Sequence, residues 1–284
     1  MTVYKIIDGK KIANSIRLEL SEKIAEFKKN TAREIGLAVV LVGQNPASQI
    51  YVRNKIKACE EVGIKSFAYY LSELATQEEL EQLILSLAGN DEIHGILVQL
   101  PLPSHLSDKA LELIPDSKDV DGFSAYNIGK LCLNSESTVA CTPFGVMKML
   151  EHENIVIKGK NAVVIGRSNI VGKPMAMLLL NADATVTVCH SKTENLKDQC
   201  LKADILVSAI GKPKFITADM VKEGAVVIDV GMNRDEKGKL CGDVDFEEVK
   251  EKCSYITPVP GGVGPMTITM LMYNTYLAAL RSTN

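Results

Sequence analysis

The chain has 284 residues, 46% hydrophobic and 24% charged, with a formal net charge of −3. That balance suits a soluble globular protein of one large or two ordinary domains and gives no electrostatic case for binding nucleic acid or an anionic membrane. The seven cysteines are scattered, with no C-x-x-C and no His/Cys cluster at zinc spacing, which points to reduced thiols, a cytoplasmic protein and no metal site. The N-terminus lacks the apolar core of a signal peptide, and no apolar run approaches membrane-spanning length.

Taken in order, Gly9 to Lys29 carries Ile12, Ile16, Leu20, Ile24 and Phe27 at helical spacing. Leu37 to Val42 is an apolar strand broken by Gly43-Gln44-Asn45-Pro46. Asn45 suits the cap and Pro46 the first turn of a helix that runs to Val62, where Gly63 supplies a left-handed stop. Lys65 to Leu71 predicts a second strand, and Thr76-Gln-Glu-Glu79 is a capping box for a helix reaching about Leu87. Gly95 to Leu100 is a third strand, ended by Pro101-Leu-Pro103; Pro115 to Gly122 is irregular; Thr142-Pro143 caps a helix through about Leu150.

Ala162-Val-Val-Ile-Gly-Arg-Ser-Asn-Ile-Val-Gly-Lys-Pro174 reads as a buried strand, a tight turn at Gly166 and a helix with Pro174 in its first turn. Amides left open at that helix N-terminus would meet a phosphate. The pattern is close to a dinucleotide-binding turn, but Ser168 and Val171 replace the second and third glycines. Its plain reading is an ordinary strand–helix turn with a packing glycine. A P-loop is excluded, because five residues separate Gly166 from Gly172 and Pro174 stands where the hydroxyl residue is needed. Further strands at Thr185–Cys189, Ile205–Ser208 and Ala225–Val230 alternate with helices, and Pro265 to Leu280 is apolar enough for a buried helix. Strand–helix alternation predicts parallel sheets with right-handed crossovers. The expected plan is two α/β domains: residues 1–140, three-layered and completed by the C-terminal helix at 265–284, and residues 141–264, a Rossmann-type doubly wound sheet.

Tyr51 and Lys55 share one face of the helix after Pro46. Alone, they read as a half-buried tyrosine beside a solvated lysine. Gln99, however, interrupts an apolar strand at its carboxyl end, where a polar amide needs a partner and where ligands of open α/β sheets bind. Asp119 and Asp121 follow in a loop where aspartate is common as turn chemistry. Thr257-Pro-Val-Pro-Gly-Gly-Val-Gly-Pro-Met-Thr267 is a rigid loop whose backbone can approach a flat ligand closely. His94, His105, His152 and His190 lack metal-ligand spacing and read as structural or exposed.

Five stretches, in order, resemble the signatures of the bifunctional methylenetetrahydrofolate dehydrogenase/cyclohydrolase family: Asn45-Pro-Ala-Ser-x-x-Tyr51-Val-x-x-Lys55, Gly95-Ile-Leu-Val-Gln-Leu-Pro-Leu-Pro103, Lys118-Asp-Val-Asp-Gly122, Gly166-Arg-Ser-x-x-Val-Gly-x-Pro174 and Pro258-Val-Pro-Gly-Gly-Val-Gly-Pro-Met-Thr267. The resemblance extends from about Ile7 to Leu280 and implies two α/β domains with the active site in the cleft between them. It implies Lys55 as the key catalytic residue, Gln99 positioning it, Tyr51 lining the folate site and Asp121 holding the pterin. Leu100, Pro101, Gly261, Gly262 and Val263 are implied as further substrate contacts, and Gly166, Arg167, Ser168, Ser191 and Met232 as cofactor contacts. The implied enzyme is a cytoplasmic homodimer that serves one-carbon metabolism and purine biosynthesis.

The chemistry agrees with these residue types. Loss of hydride from the one-carbon bridge of methylenetetrahydrofolate leaves a cation delocalised over two nitrogens, so the step needs orientation and no base. Hydrolysis of the methenyl cation requires attacking water to lose a proton. Like charge and desolvation favour a neutral amine there, able to act as base or proton shuttle. NADP is expected over NAD, because His190-Ser191-Lys192 after the second strand of the nucleotide domain carries no acid for the ribose, while Arg167 and Ser191 suit a 2′-phosphate. Two rival readings keep the fold: a reductase of small oxo acids, and a folate- or nucleotide-binding regulator without activity.

Overall fold

The computed structural model describes residues 4–283. Its elements run β1 (Lys5–Ile6), α1 (Gly9–Thr31), β2 (Gly36–Val42), α2 (Pro46–Val62), β3 (Lys65–Leu71), α3 (Gln77–Ala88), β4 (Gly95–Val98), α4 (Ala125–Cys132), α5 (Cys141–His152), β5 (Asn161–Ile165), α6 (Gly172–Asn181), β6 (Thr185–Cys189), α7 (Leu196–Cys200), β7 (Ile205–Ser208), β8 (Val226–Asp229), β9 (Asn233–Arg234), β10 (Leu240–Cys241), α8 (Phe246–Val249), β11 (Tyr255–Ile256) and α9 (Val263–Arg281). The chain forms two compact units. One comprises the residues up to Asn14, Leu131–Ser135 and Thr142–Thr267; the other comprises Ser15–Lys130, Glu136–Cys141 and the chain from Ile268 on.

In the unit that carries Lys55, three parallel strands lie in the order β3-β2-β4. Every residue of the central strand β2 is buried, which is why its sequence is an unbroken apolar run. Val40 and Val98, with Leu80 and Ile84 from α3, form one continuous core. The capping box of α3 is complete: Glu79 N–H donates to the Thr76 hydroxyl, and Thr76 N–H donates to the Glu79 carboxylate. Gly63 adopts φ +84°, the left-handed stop that its position after α2 predicts.

In the nucleotide-type unit six parallel strands lie in the order β1-β11-β8-β7-β5-β6. Val163, Ile165, Leu206 and Val227 pack at its centre. The order reverses between β5 and β7, the switch point at which doubly wound sheets bind ligands.

The structure departs from the sequence expectation in three places. The described residues up to Asn14 group with the nucleotide-type sheet, because Lys5–Ile6 extends it beside Tyr255–Ile256. Two residues are too short a run to show any strand pattern. Helix α5 starts at Cys141, so Thr142 lies inside its first turn instead of capping it; its hydroxyl is 3.0 Å from that of Thr267. The strand expected at Gly95–Leu100 ends at Val98, and Gln99 N–H makes one last backbone bond to Val40 before the chain leaves the sheet.

The capping box sets a stability prediction. Thr76→Ala removes the acceptor for Glu79 N–H and should cost about 1 kcal/mol in denaturant unfolding. An unchanged unfolding midpoint would show that the box contributes nothing.

Candidate active site

Helix α2 begins where Asn45 Oδ1 accepts from Ser48 N–H at 3.1 Å. Its pitch then places Lys55 one turn beyond Tyr51 on the same face. Tyr51 is 39% exposed, and Lys55 is half-buried. Lys55 Nζ donates to Gln99 Oε1 at 3.0 Å, and Gln99 Nε2 donates to the Leu100 carbonyl at 2.6 Å. Gln99 N–H also donates to the Val40 carbonyl. The glutamine is therefore fixed at the carboxyl end of the sheet by its backbone and by both ends of its amide.

Asp121 joins this pair. Burial pushes its carboxyl up to about 6, opposed by the Lys55 ammonium and reinforced by the charge of Asp119. Asp119 serves the loop itself. Its carboxylate accepts from the N–H groups of Gly122, Phe123 and Ser124 and from Asn127 Nδ2, at 2.8–3.2 Å. Those donors commit both oxygens of Asp119 to the loop. The other flank of the loop is held by Asn274 on α9, whose Nδ2 donates to the carbonyls of Val120 and Val139. Gly95 and Gly122 leave room for this strap: a Cβ on Gly95 would lie 2.5 Å from a Val120 methyl, and one on Gly122 would lie 2.6 Å from Ala140 N. Asn274 was not identified from the sequence. The available signal was one amide inside an otherwise apolar helix, which must find a buried partner.

In the nucleotide-type unit, Gly166 has φ +120°, and a Cβ there would lie 2.3 Å from the Ala209 carbonyl oxygen. Glycine is therefore required at the turn after β5. The expectation of open amides at the following helix is corrected in part. Ser168 Oγ accepts from the N–H groups of Val171 and Gly172 at 3.2 and 3.3 Å, and its carbonyl accepts from Lys173 N–H at 3.0 Å, so the turn residue in place of a second glycine occupies these amides. Arg167, Ser168, Ser191 and Met232 are exposed at the carboxyl edge of this sheet. A turn after β6 presents Ser191, tied by His190 N–H to Thr193 Oγ1 and by Lys192 N–H to His190 Nδ1. These features suit a dinucleotide: a glycine cradle, an arginine beside it and a hydroxyl at the end of the next strand.

The glycine-rich loop belongs to the same unit. Gly261 has φ +102° and accepts from Lys10 N–H at 3.0 Å. Gly262 is buried so tightly against Gly9 that a Cβ on Gly9 would lie 1.9 Å from its carbonyl oxygen. Val263 is 4% exposed, so what it can offer a ligand is its backbone at the start of α9. His94 is structural: its Nδ1 accepts from Gly36 N–H at 3.1 Å, and burial lowers its pKa.

Fold and site define a two-domain α/β protein with a dinucleotide turn in one unit and a lysine–amide–carboxylate cluster in the other. Two family models match the chain: the catalytic domain of tetrahydrofolate dehydrogenase/cyclohydrolase over residues 7–121, and its NAD(P)-binding domain over residues 140–283. A relative from Campylobacter concisus, named Bifunctional protein FolD, is 61% identical over 276 residues, covering 97% of each chain. The FolD methylenetetrahydrofolate dehydrogenase/cyclohydrolase structure from Campylobacter jejuni superposes with a TM-score of 0.96 at 55% identity, covering 98% of this chain and 99% of that one. A FolD structure from Trypanosoma brucei, complexed with NADP and an inhibitor, gives 0.95 at 41% identity over the whole of both chains. The chain belongs to the tetrahydrofolate dehydrogenase/cyclohydrolase family and is an enzyme of that bifunctional class. Membership displaces the oxo-acid reductase and the non-catalytic regulator. No helix among the described residues is long and apolar enough to cross a membrane.

The raised carboxyl of Asp121 has a thermodynamic consequence. A carboxyl whose folded pKa lies above its unfolded value costs stability once ionisation is forced, so the cost develops as pH rises from about 4 through about 6. Asp121→Asn should therefore gain unfolding free energy relative to the native chain at pH 7.5 but not at pH 4, by denaturant titration at both. Equal differences at the two pH values would contradict the burial of this charge.

Proposed function

We propose that the chain oxidises 5,10-methylenetetrahydrofolate to 5,10-methenyltetrahydrofolate with NADP and hydrolyses that product to 10-formyltetrahydrofolate. The observation that carries the reading is the Lys55–Gln99 hydrogen bond beside the Asp121 carboxyl, set in a chain of this family. Bound NADP supplies the hydride acceptor. Asp121 accepts the exocyclic amine and ring N–H of the pterin in parallel, as a carboxylate accepts from arginine. Tyr51 lines the ring, and Leu100 and Pro101 add further folate contacts. Hydride departure leaves a cation and releases no proton, so the protein contributes orientation at this step.

In the hydrolysis, water adds to the methenyl carbon and loses a proton, and one carbon–nitrogen bond opens to leave the formyl group. Lys55 takes or relays that proton, held in place by Gln99. Arg167 and Ser191 bind the 2′-phosphate of NADP, with Gly166, Ser168 and Met232 forming the rest of that site. The assignment extends to a cytoplasmic homodimer whose product supplies one-carbon units for purine biosynthesis.

Absorbance at the reduced-cofactor and methenyl bands, after mixing protein, methylenetetrahydrofolate and NADP, tests the whole reading in one trace. Both bands should rise, and the methenyl band should then decay. Lys55→Met should lower the hydrolysis rate by about 10²- to 10⁴-fold while part of the oxidation persists. Near-normal hydrolysis by that variant would remove Lys55 from the mechanism. Arg167→Ala should raise the KM for NADP about tenfold or more, as expected for loss of a hydrogen bond to a charged group, and leave the KM for NAD within twofold. Parallel losses with both cofactors would contradict the 2′-phosphate assignment.

A further inference from the structure

Beyond the carboxyl ends of β7 and β8, two buried aspartates organise the backbone in a way that the reaction as described does not use. Asp243 has no solvent exposure and Asp229 only 3%. Asp243 Oδ2 accepts from Ser208 Oγ at 3.1 Å and from Ile210 N–H at 2.8 Å, while Oδ1 accepts from Lys212 N–H and Asn233 Nδ2, both at 2.9 Å. Asp229 accepts from Gly231, Asp243 and Val244 N–H, each at 2.9 Å. Its own N–H donates to Thr257 Oγ1 at 2.7 Å. The two carboxylates therefore knit the segment after β7, the segment after β8 and the backbone at Asp243–Val244.

The space around them admits no side chain. A Cβ on Gly231 would lie 2.2 Å from Asp243 Oδ1, and one on Gly242 would lie 1.8 Å from Asp229 Oδ2. The segment held by Asp243 also forms the wall of the dinucleotide turn, since Ala209 carbonyl oxygen is the atom that a Cβ on Gly166 would meet at 2.3 Å. Ala209 lies between Ser208 and Ile210, both bonded to Asp243. Met232 lies between Gly231, bonded to Asp229, and Asn233, bonded to Asp243.

We propose that Asp243 is a positioning residue for the cofactor: its carboxylate fixes the β7 and β8 loops that wall the half of the site on the β7–β8 side of the switch point. In a doubly wound sheet the dinucleotide straddles that point, so the loops on the side of β7 and β8 receive the nicotinamide half and the turn after β6 receives the adenosine half. The proposal rests on the family reading of the nucleotide-type unit and adds a residue that does not itself touch the cofactor. Replacing the carboxylate by an amide keeps the shape and turns one acceptor into a donor that faces an N–H.

The test uses the full-length protein. Asp243→Asn should weaken NADP binding, measured by calorimetry, about tenfold or more. Cyclohydrolase turnover of methenyltetrahydrofolate supplied without cofactor should stay within twofold, a separation that general unfolding would not give. Ser208→Ala and Asn233→Ala each remove one donor to the same carboxylate and cover the case in which Asp243→Asn fails to fold. Each should raise the Kd for NADP by about two- to fivefold, and a 2′-phospho-ADP-ribose fragment lacking nicotinamide should bind all variants as it binds the native chain. Unchanged NADP affinity in the folded variants, or equal losses for the fragment, would overturn the proposal. Failure of the native chain itself to bind NADP would instead overturn the family reading.

Discussion

Lys55 donates to Gln99 across 3.0 Å, and the placement of both residues follows from helix pitch and strand length. Lys55 is fixed to α2, which starts at Pro46 behind the Asn45 cap. Gln99 is fixed to the end of β4 through its backbone bond to Val40. A flexible lysine stem carries about 2 kcal/mol of rotamer entropy, so a partner itself held at two points, Val40 and Leu100, is an effective way to restrict it. Asp121 then supplies a carboxyl near the same lysine, and its partial burial raises its pKa against the pull of the Lys55 ammonium.

That loop is secured from two directions by different means. Asp119 gathers the amides that follow it, and Asn274 of α9 pins the carbonyls on the other side. A carboxylate that accepts several N–H groups is a stable anchor, because charge-assisted bonds are about twice as strong as neutral ones. The nucleotide-type unit repeats the device with Asp229 and Asp243. In both units the aspartate that shapes the loop is more buried than the groups offered to a ligand.

Most of the fold was legible because the signals were local. The strand β2, the stops at Gly43 and Gly63 and the capping box of α3 each follow from a few neighbouring residues. Turn chemistry at Asp119 was legible from its place in the loop, and its hydrogen bonds agree with it, whereas the pterin role of Asp121 came only from the family resemblance. What was not legible is non-local. The two residues of β1 gain their meaning from a strand 250 residues later in the sequence. In the sequence Ser168 is a gap in a glycine pattern, whereas in the fold its hydroxyl accepts from the amides of Val171 and Gly172. Asn274, Asp229 and Asp243 act through partners up to 154 residues away, a relation that periodicity does not encode.

The coupling between Lys55 and Gln99 can be measured directly by a double-mutant cycle on methenyltetrahydrofolate hydrolysis, with Lys55→Met, Gln99→Leu and the pair. If Gln99 acts in this step by holding Lys55, its replacement should slow the native enzyme substantially and slow the Lys55→Met enzyme little, so the double variant should match Lys55→Met alone. Losses that add in free energy across the pair would contradict the account, because each residue would then act without the other.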